Sequence, residues 1–198
     1  MPAAKTVNLD AHAIATLRYI RASMDAAARV AVPGSAGIAM GIVGFAAAAL
    51  CLAPPVREHW HVVWLSAAPI AASAGVVLLA RPASLLSFTA RDTAGRKLAL
   101  CLLPSLFAGA AMTVVLWSED RMSAVPGTWL LLYGCALISA SVPTTALVAW
   151  MGVCFVGLGI AALLAPFVPQ MVLLGLGFGG LHILFGILIG RVGNGRES

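Results

Sequence analysis

Hydrophobic residues in this chain come in long unbroken runs, not in the short alternation of an element with one wet face. Uncharged stretches extend from Ser35 to Ala53, His61 to Ala80, Leu98 to Trp117, Thr128 to Leu164 and Met171 to Gly190. About 20 consecutive apolar residues make one helical crossing of a bilayer, so four of these stretches predict one span each. The stretch from Thr128 to Leu164 is too long for a single helix. It folds back at "SASVPTT", where Pro143 cannot donate to a helical ladder and Ser and Thr favour a turn. Pro54-Pro55 and Arg81-Pro82 stop the first two spans. The expectation is an all-α, polytopic membrane helix bundle of six transmembrane helices over residues 31–190.

The pattern before the first span is different. In "LDAHAIATLRYIRASMDAAARV", at about 100° per residue, Leu9, Ala13, Leu17, Ile20 and Met24 share one arc. Arg18, Arg21, Asp25 and Arg29 fall opposite, with Asn8 a candidate N-cap. Residues 1–30 therefore read as an amphipathic helix. It lies flat on the cytoplasmic leaflet with Arg18, Arg21 and Arg29 toward anionic headgroups, or packs beneath the bundle. His12 and Tyr19 share a flank and read as interfacial polar residues.

Composition agrees with the runs. The chain is 61% hydrophobic and 10% charged, with a mean hydropathy of +1.00, where soluble domains carry about a quarter charged residues. Cys51, Cys101, Cys135 and Cys154 all sit in apolar runs without a C-x-x-C pair, so they read as small hydrophobes rather than a disulfide framework or zinc site. Arginines interrupt the first thirty residues, and no signal-peptide core is visible there.

The net charge of +5 mostly reports topology. Alternating the loops puts Lys5, Arg18, Arg21, Arg29, Arg81, Arg91, Arg96, Lys97, Arg191 and Arg196 on one side, and Arg57 and Arg121 on the other. The positive-inside rule then places both termini, including the tail 191–198, in the cytoplasm. Trp60, Trp64, Trp117 and Trp129 fall at the opposite interface, where rings with an apolar body and a polar N–H are favoured. The basic loop "RPASLLSFTARDTAGRK" suits lipid phosphate. It lacks the aromatic interleaving of a nucleic-acid site, so no nucleic-acid partner is expected. "MGIVGFAAAALCLAPPV" in the first span echoes "MGVCFVGLGIAALLAPFV" in the fifth, which leaves a duplicated hairpin open.

The stretch "GLGFGGLHILFGILIG" (175–190) carries a G-x-G-x-x-G string. A dinucleotide fingerprint needs a preceding strand, a solvated turn and an acidic residue about twenty positions on. This string lies inside an uncharged run near the end of the sequence, so the match is fortuitous. On a helical wheel Gly175, Gly179, His182, Gly186 and Gly190 occupy roughly an 80° arc, with Ile183 off it. Gly175/Gly179 and Gly186/Gly190 are G-x-x-x-G pairs, as are Gly37 and Gly41 in the first span, and such glycines let another backbone or a flat ligand approach closely. The two spans are natural partners.

His182 is the one ionisable residue, among His, Lys, Arg, Asp and Glu, deep in any span. An intramembrane ionisable group is a functional hypothesis by default; the structural alternative is a neutral imidazole hydrogen-bonded to a neighbouring helix. One ligand reading is haem b, with His182 axial and Gly175, Gly179 and Gly186 making room for the porphyrin. Its second ligand would be Met151, Cys154 or Met40, or a second His182 across a homodimer axis. Transport of a small solute would use Pro69 and Pro104 as helix breaks and Ser66, Ser73 and Ser105 as lining, with no buried acid to help. Glu58, His59 and His61 give only three ligands on a short rim, which reads as interfacial decoration.

An arginine-bearing amphipathic helix followed by "PGTWLLLYG" and "GFGGLHILFG" resembles an uncharacterised bacterial six-span integral membrane protein family. The resemblance implies an inner-membrane setting and supplies neither activity nor functional residues. The leading expectation is a non-enzymatic, membrane-embedded binding or interaction protein that self-associates through glycine-rich helix faces. A b-type haem protein is second and a small-solute transporter third.

Overall fold

The computed structural model describes residues 13–19, 32–80, 93–165 and 167–194, and every regular element among them is helical. Six long helices follow one another: α1 (Gly34–Leu50), α2 (Trp60–Ala80), α3 (Thr93–Ser118), α4 (Val125–Ser141), α5 (Ala146–Leu164) and α6. Helix α6 is continuous but mixed. It is α-helical over Gln170–Leu174, π-helical over Gly175–Leu181, and α-helical again over His182–Asn194.

Five of these, α2 to α6, are long and apolar enough to cross a membrane, which is consistent with an integral membrane protein. Helix α1 has 17 residues, about 25 Å at 1.5 Å per residue, the short end of a spanning helix. The uncharged run predicted a span to Ala53, but the helix ends at Leu50. Ala53 precedes Pro54 and is extended (φ −67°, ψ 129°), as the following ring demands.

The long fourth stretch folds back where its proline lies. Helix α4 ends at Ser141 and α5 begins at Ala146, with Pro143 in the turn. Buried Thr144 donates its hydroxyl to the Ala140 carbonyl (2.7 Å). Pro126 sits in the first turn of α4, where its missing N–H costs nothing. Pro69 and Pro104, offered by the sequence as helix breaks, lie inside uninterrupted α2 and α3. Of the expected amphipathic helix only residues 13–19 are described. They are helical, and Ile14, Leu17 and Arg18 are exposed. The calls on Arg21 and Arg29, on the 81–92 loop and on Arg196 lie outside the described residues.

Glycine decides which helices meet. Helices α4 and α5 cross backbone to backbone: a Cβ on Gly134 would meet Val156 N at 2.7 Å, and one on Gly152 would meet Gly134 O at 2.7 Å. One on Gly159 would meet Leu131 N at 2.6 Å. Helix α1 packs on α6 in the same way. Its glycines at 34, 37, 41 and 44 step by three, four and three residues, a near-heptad seam that keeps one face toward a partner. Their opposite numbers are Gly186 and Gly190, His182 and Gly186, Gly179 and Ile183, then Phe178 and Gly179. The echoed Met-Gly pairs, Met40-Gly41 and Met151-Gly152, thus each put a glycine against another helix's backbone.

The remaining two helices flank this unit, α2 against α1 and α3 against α4. Only 6% of the apolar window of either is buried, against 39%, 33% and 44% for α4, α5 and α6. Gly75 of α2 abuts Met40 of α1. Trp129, near the start of α4, reaches across to α3. Its indole N–H donates to Thr113 Oγ1 (2.9 Å), and its ring covers Gly109. The core lies between α4, α5 and α6, around fully buried Leu130 and Phe155 with Met151, Leu173, Leu174 and Phe185.

Candidate functional site

The polar centre of the bundle is a histidine–tyrosine pair. His182, 3% exposed, stands at the first position of the α-helix that follows the π segment. Its Nε2 lies 2.9 Å from the hydroxyl of Tyr133 on α4. Two reasons favour the phenol O–H as donor. It gives Nε2 a strong donor, and it leaves the remaining ring proton on Nδ1 facing the Gly177 carbonyl. That carbonyl is near enough to act on the imidazole, yet Nδ1 makes no hydrogen bond of proper geometry. One buried polar atom is therefore left unmatched, which is uncommon in folded proteins.

Aromatic rings close around the pair. Phe178 stacks on the imidazole (centroids 6.1 Å, planes 17° apart), and Phe155 meets it edge-on at 5.4 Å. Tyr133 contacts both phenylalanines at 5.1 Å. Trp64 extends the cluster from α2, 5.8 Å from Phe178, and its indole N–H is directed to the buried Cys51 thiol of α1's C-terminal end. Gly177 makes this closure possible, because a Cβ there would stand 2.5 Å from Leu130 Cδ2 and 3.1 Å from the Phe155 ring.

The structure separates what the helical wheel joined. Gly175, Gly179 and Gly186 face α1, where their Cβ positions would meet Ala48, the Phe45 ring, and Gly34 with Ile38. Gly190 ends the same seam, 4.0 Å from Gly34 Cα. The imidazole, by contrast, faces Tyr133 and Phe155 on α4 and α5. His182 stays in the seam by its backbone, its carbonyl oxygen 3.0 Å from where a Gly37 Cβ would stand, while its imidazole turns toward α4 and α5. Ile183 is not off the seam either, since its side chain lies against Gly41.

This geometry does not fit a porphyrin. The axial nitrogen is engaged by Tyr133, rings cover the imidazole on two sides, and the glycine groove is filled by the α1 backbone and Phe45. Of the suggested second ligands, Met40 turns to Gly75 on α2, Cys154 is exposed, and Met151 is packed in the apolar core. Self-association through the same glycines would have to displace α1. On the transport reading, Ser66 and Ser73 are exposed on the outlying α2, Ser66 bonding its own helix at Val63 O (2.9 Å), and do not line a path. Glu58, His59 and His61 are exposed, the two imidazole centroids 6.5 Å apart. No group of three or more metal-ligating side chains occurs among the described residues.

Tyr133 is the site residue that sequence reasoning passed over, although it stands in the quoted "PGTWLLLYG". Its signal was available: of the chain's two tyrosines, it is the one inside an uncharged run, where a hydroxyl needs a partner. No family model, curated protein or solved structure matches this chain.

Proposed function

We propose that this is a six-span protein of the bacterial inner membrane, with both termini cytoplasmic, acting as a non-enzymatic, membrane-embedded binding or interaction protein. The observation that carries the reading is the closure of its polar centre. Its one deep ionisable side chain is hydrogen-bonded to Tyr133, enclosed by aromatic rings, and backed by a glycine seam that locks α1 to α6. Chemistry or ion passage at His182 would need an approach that Phe155, Phe178 and Tyr133 occupy. The surfaces free for lipid or for a partner, including another copy, include the outer faces of α2 and α3 and exposed side chains of α5 and α6 such as Trp150 and Leu184. The amphipathic N-terminal segment supports cytoplasmic placement, with Ile14 and Leu17 toward acyl chains and Arg18 toward anionic headgroups.

Two measurements test this. Protein purified from haem-replete cells is expected to be colourless; a Soret band that disappears in His182→Ala would replace the binding reading with the haem one. In a cysteine-free background, a cysteine at Glu119 is expected to react with an impermeant thiol reagent in intact cells, while cysteines at Arg91 and Ser198 stay protected. Labelling at position 91 from outside would overturn the topology.

A further inference from the structure

We infer that α6 is a two-register helix: Gly175–Leu181 holds one residue more than an α-helix needs, and the Tyr133–His182 hydrogen bond latches the register seen here. The first observation is the π segment itself, seven residues long, between two α-helical halves that both touch α1 and α5. Leu173 and Leu174, on the N-terminal side, belong to the core with α4 and α5. Gly186 and Gly190, on the C-terminal side, are seated on α1. A π turn absorbs a surplus residue while preserving the facing of both halves. If the segment relaxed to α-helix with the surplus retained, the C-terminal half would turn by roughly 100°. His182 would leave Tyr133, and the glycine seam would open.

The second observation lies at the latch. His182 is 3% exposed, and its Nδ1 has only the Gly177 carbonyl, itself part of the π segment, to face, off good hydrogen-bond geometry. Here the latch is half made, which narrows the preference for one register over the other. The sequence of the segment also keeps the barrier low. Four of its seven residues are glycine, and among the described residues a Cβ on Gly180 would meet only Phe45 Cζ, at 3.9 Å, on another helix. A bistable element biased by one buried contact is how packed helices turn a local event into a rotation.

Deleting Gly180 removes the surplus, and deleting Ile187 removes a residue outside the π segment. The Gly180 deletion is expected to give a folded, monodisperse protein with a thermal midpoint at or above the parent's, while the Ile187 deletion lowers it sharply. In the full-length parent, Tyr133→Phe is expected to speed amide exchange across 176–182 by about tenfold or more, and to leave exchange there unchanged once Gly180 is deleted. Equal damage from the two deletions would mean that no surplus residue exists. Exchange in the parent that does not respond to Tyr133→Phe would mean that the π turn is static and the latch holds nothing. Either result overturns the inference without touching the proposed function, which stands on the closure of the polar centre and is tested separately by absorbance and topology.

Discussion

Replacing Gly41 with leucine is expected to be among the most damaging single changes in the molecule. A Cβ at this position would stand 2.8 Å from the Gly179 carbonyl oxygen and 2.9 Å from Ile183 N, both backbone atoms of α6. Backbone cannot rotate aside as a side chain can, so the two helices must separate. Overpacking typically costs about 1–3 kcal/mol, and forcing apart a close-packed membrane interface places this change at the top of that range or beyond. The comparator is Gly157→Leu, where a Cβ meets nothing within 4 Å and the helix gains a better former. Thermal midpoints in detergent should fall for the first and hold or rise for the second. Equal midpoints would mean that α1 is not locked to α6.

The second large effect concerns the buried pair. Tyr133→Phe keeps the ring but removes the hydroxyl, leaving His182 Nε2 without its partner in a closed aromatic site. Stranding a buried polar atom costs about 1–3 kcal/mol, whereas replacing both partners by apolar groups is close to neutral. Tyr133→Phe is therefore expected to destabilise clearly, and His182→Phe to strand the tyrosine hydroxyl instead. The double variant should be less damaged than the sum of the two by about 1 kcal/mol or more. Equilibrium unfolding of the four proteins measures that coupling. Additive losses would show that the 2.9 Å approach contributes no net hydrogen bond.

What could be read from the sequence followed what the bilayer imposes. Runs free of charge set the helices, and Pro143 set the turn between α4 and α5, because a membrane helix has no other way to satisfy its backbone. Gly37 and Gly41 marked a close-contact face on α1, but Gly34 and Gly44 completed it and were missed. The signal was a three-four-three spacing rather than G-x-x-x-G alone. His182 shares the glycine face by its backbone, which lies against Gly37, but its imidazole points to Tyr133, a direction set by α4 and α5 and not by one helix's wheel. Tyr133 was visible as a residue but not as a partner. Its pairing depends on α4 lying beside α6, and neither segment alone encodes that neighbour.

The glycine seam also sets an order of events during synthesis. Helix α1 emerges before α2 to α6, yet the face bearing Gly34, Gly37, Gly41 and Gly44 is covered by α6, the last of the six described. While α2 to α5 are being made, that groove has only lipid or another protein to fill it. The bundle can close only after the ribosome has delivered residues 175–190, and contacts so far apart in sequence are slow to find. Until then α1 is an unfinished surface, and whatever guides this protein into the membrane must keep that surface from its neighbours.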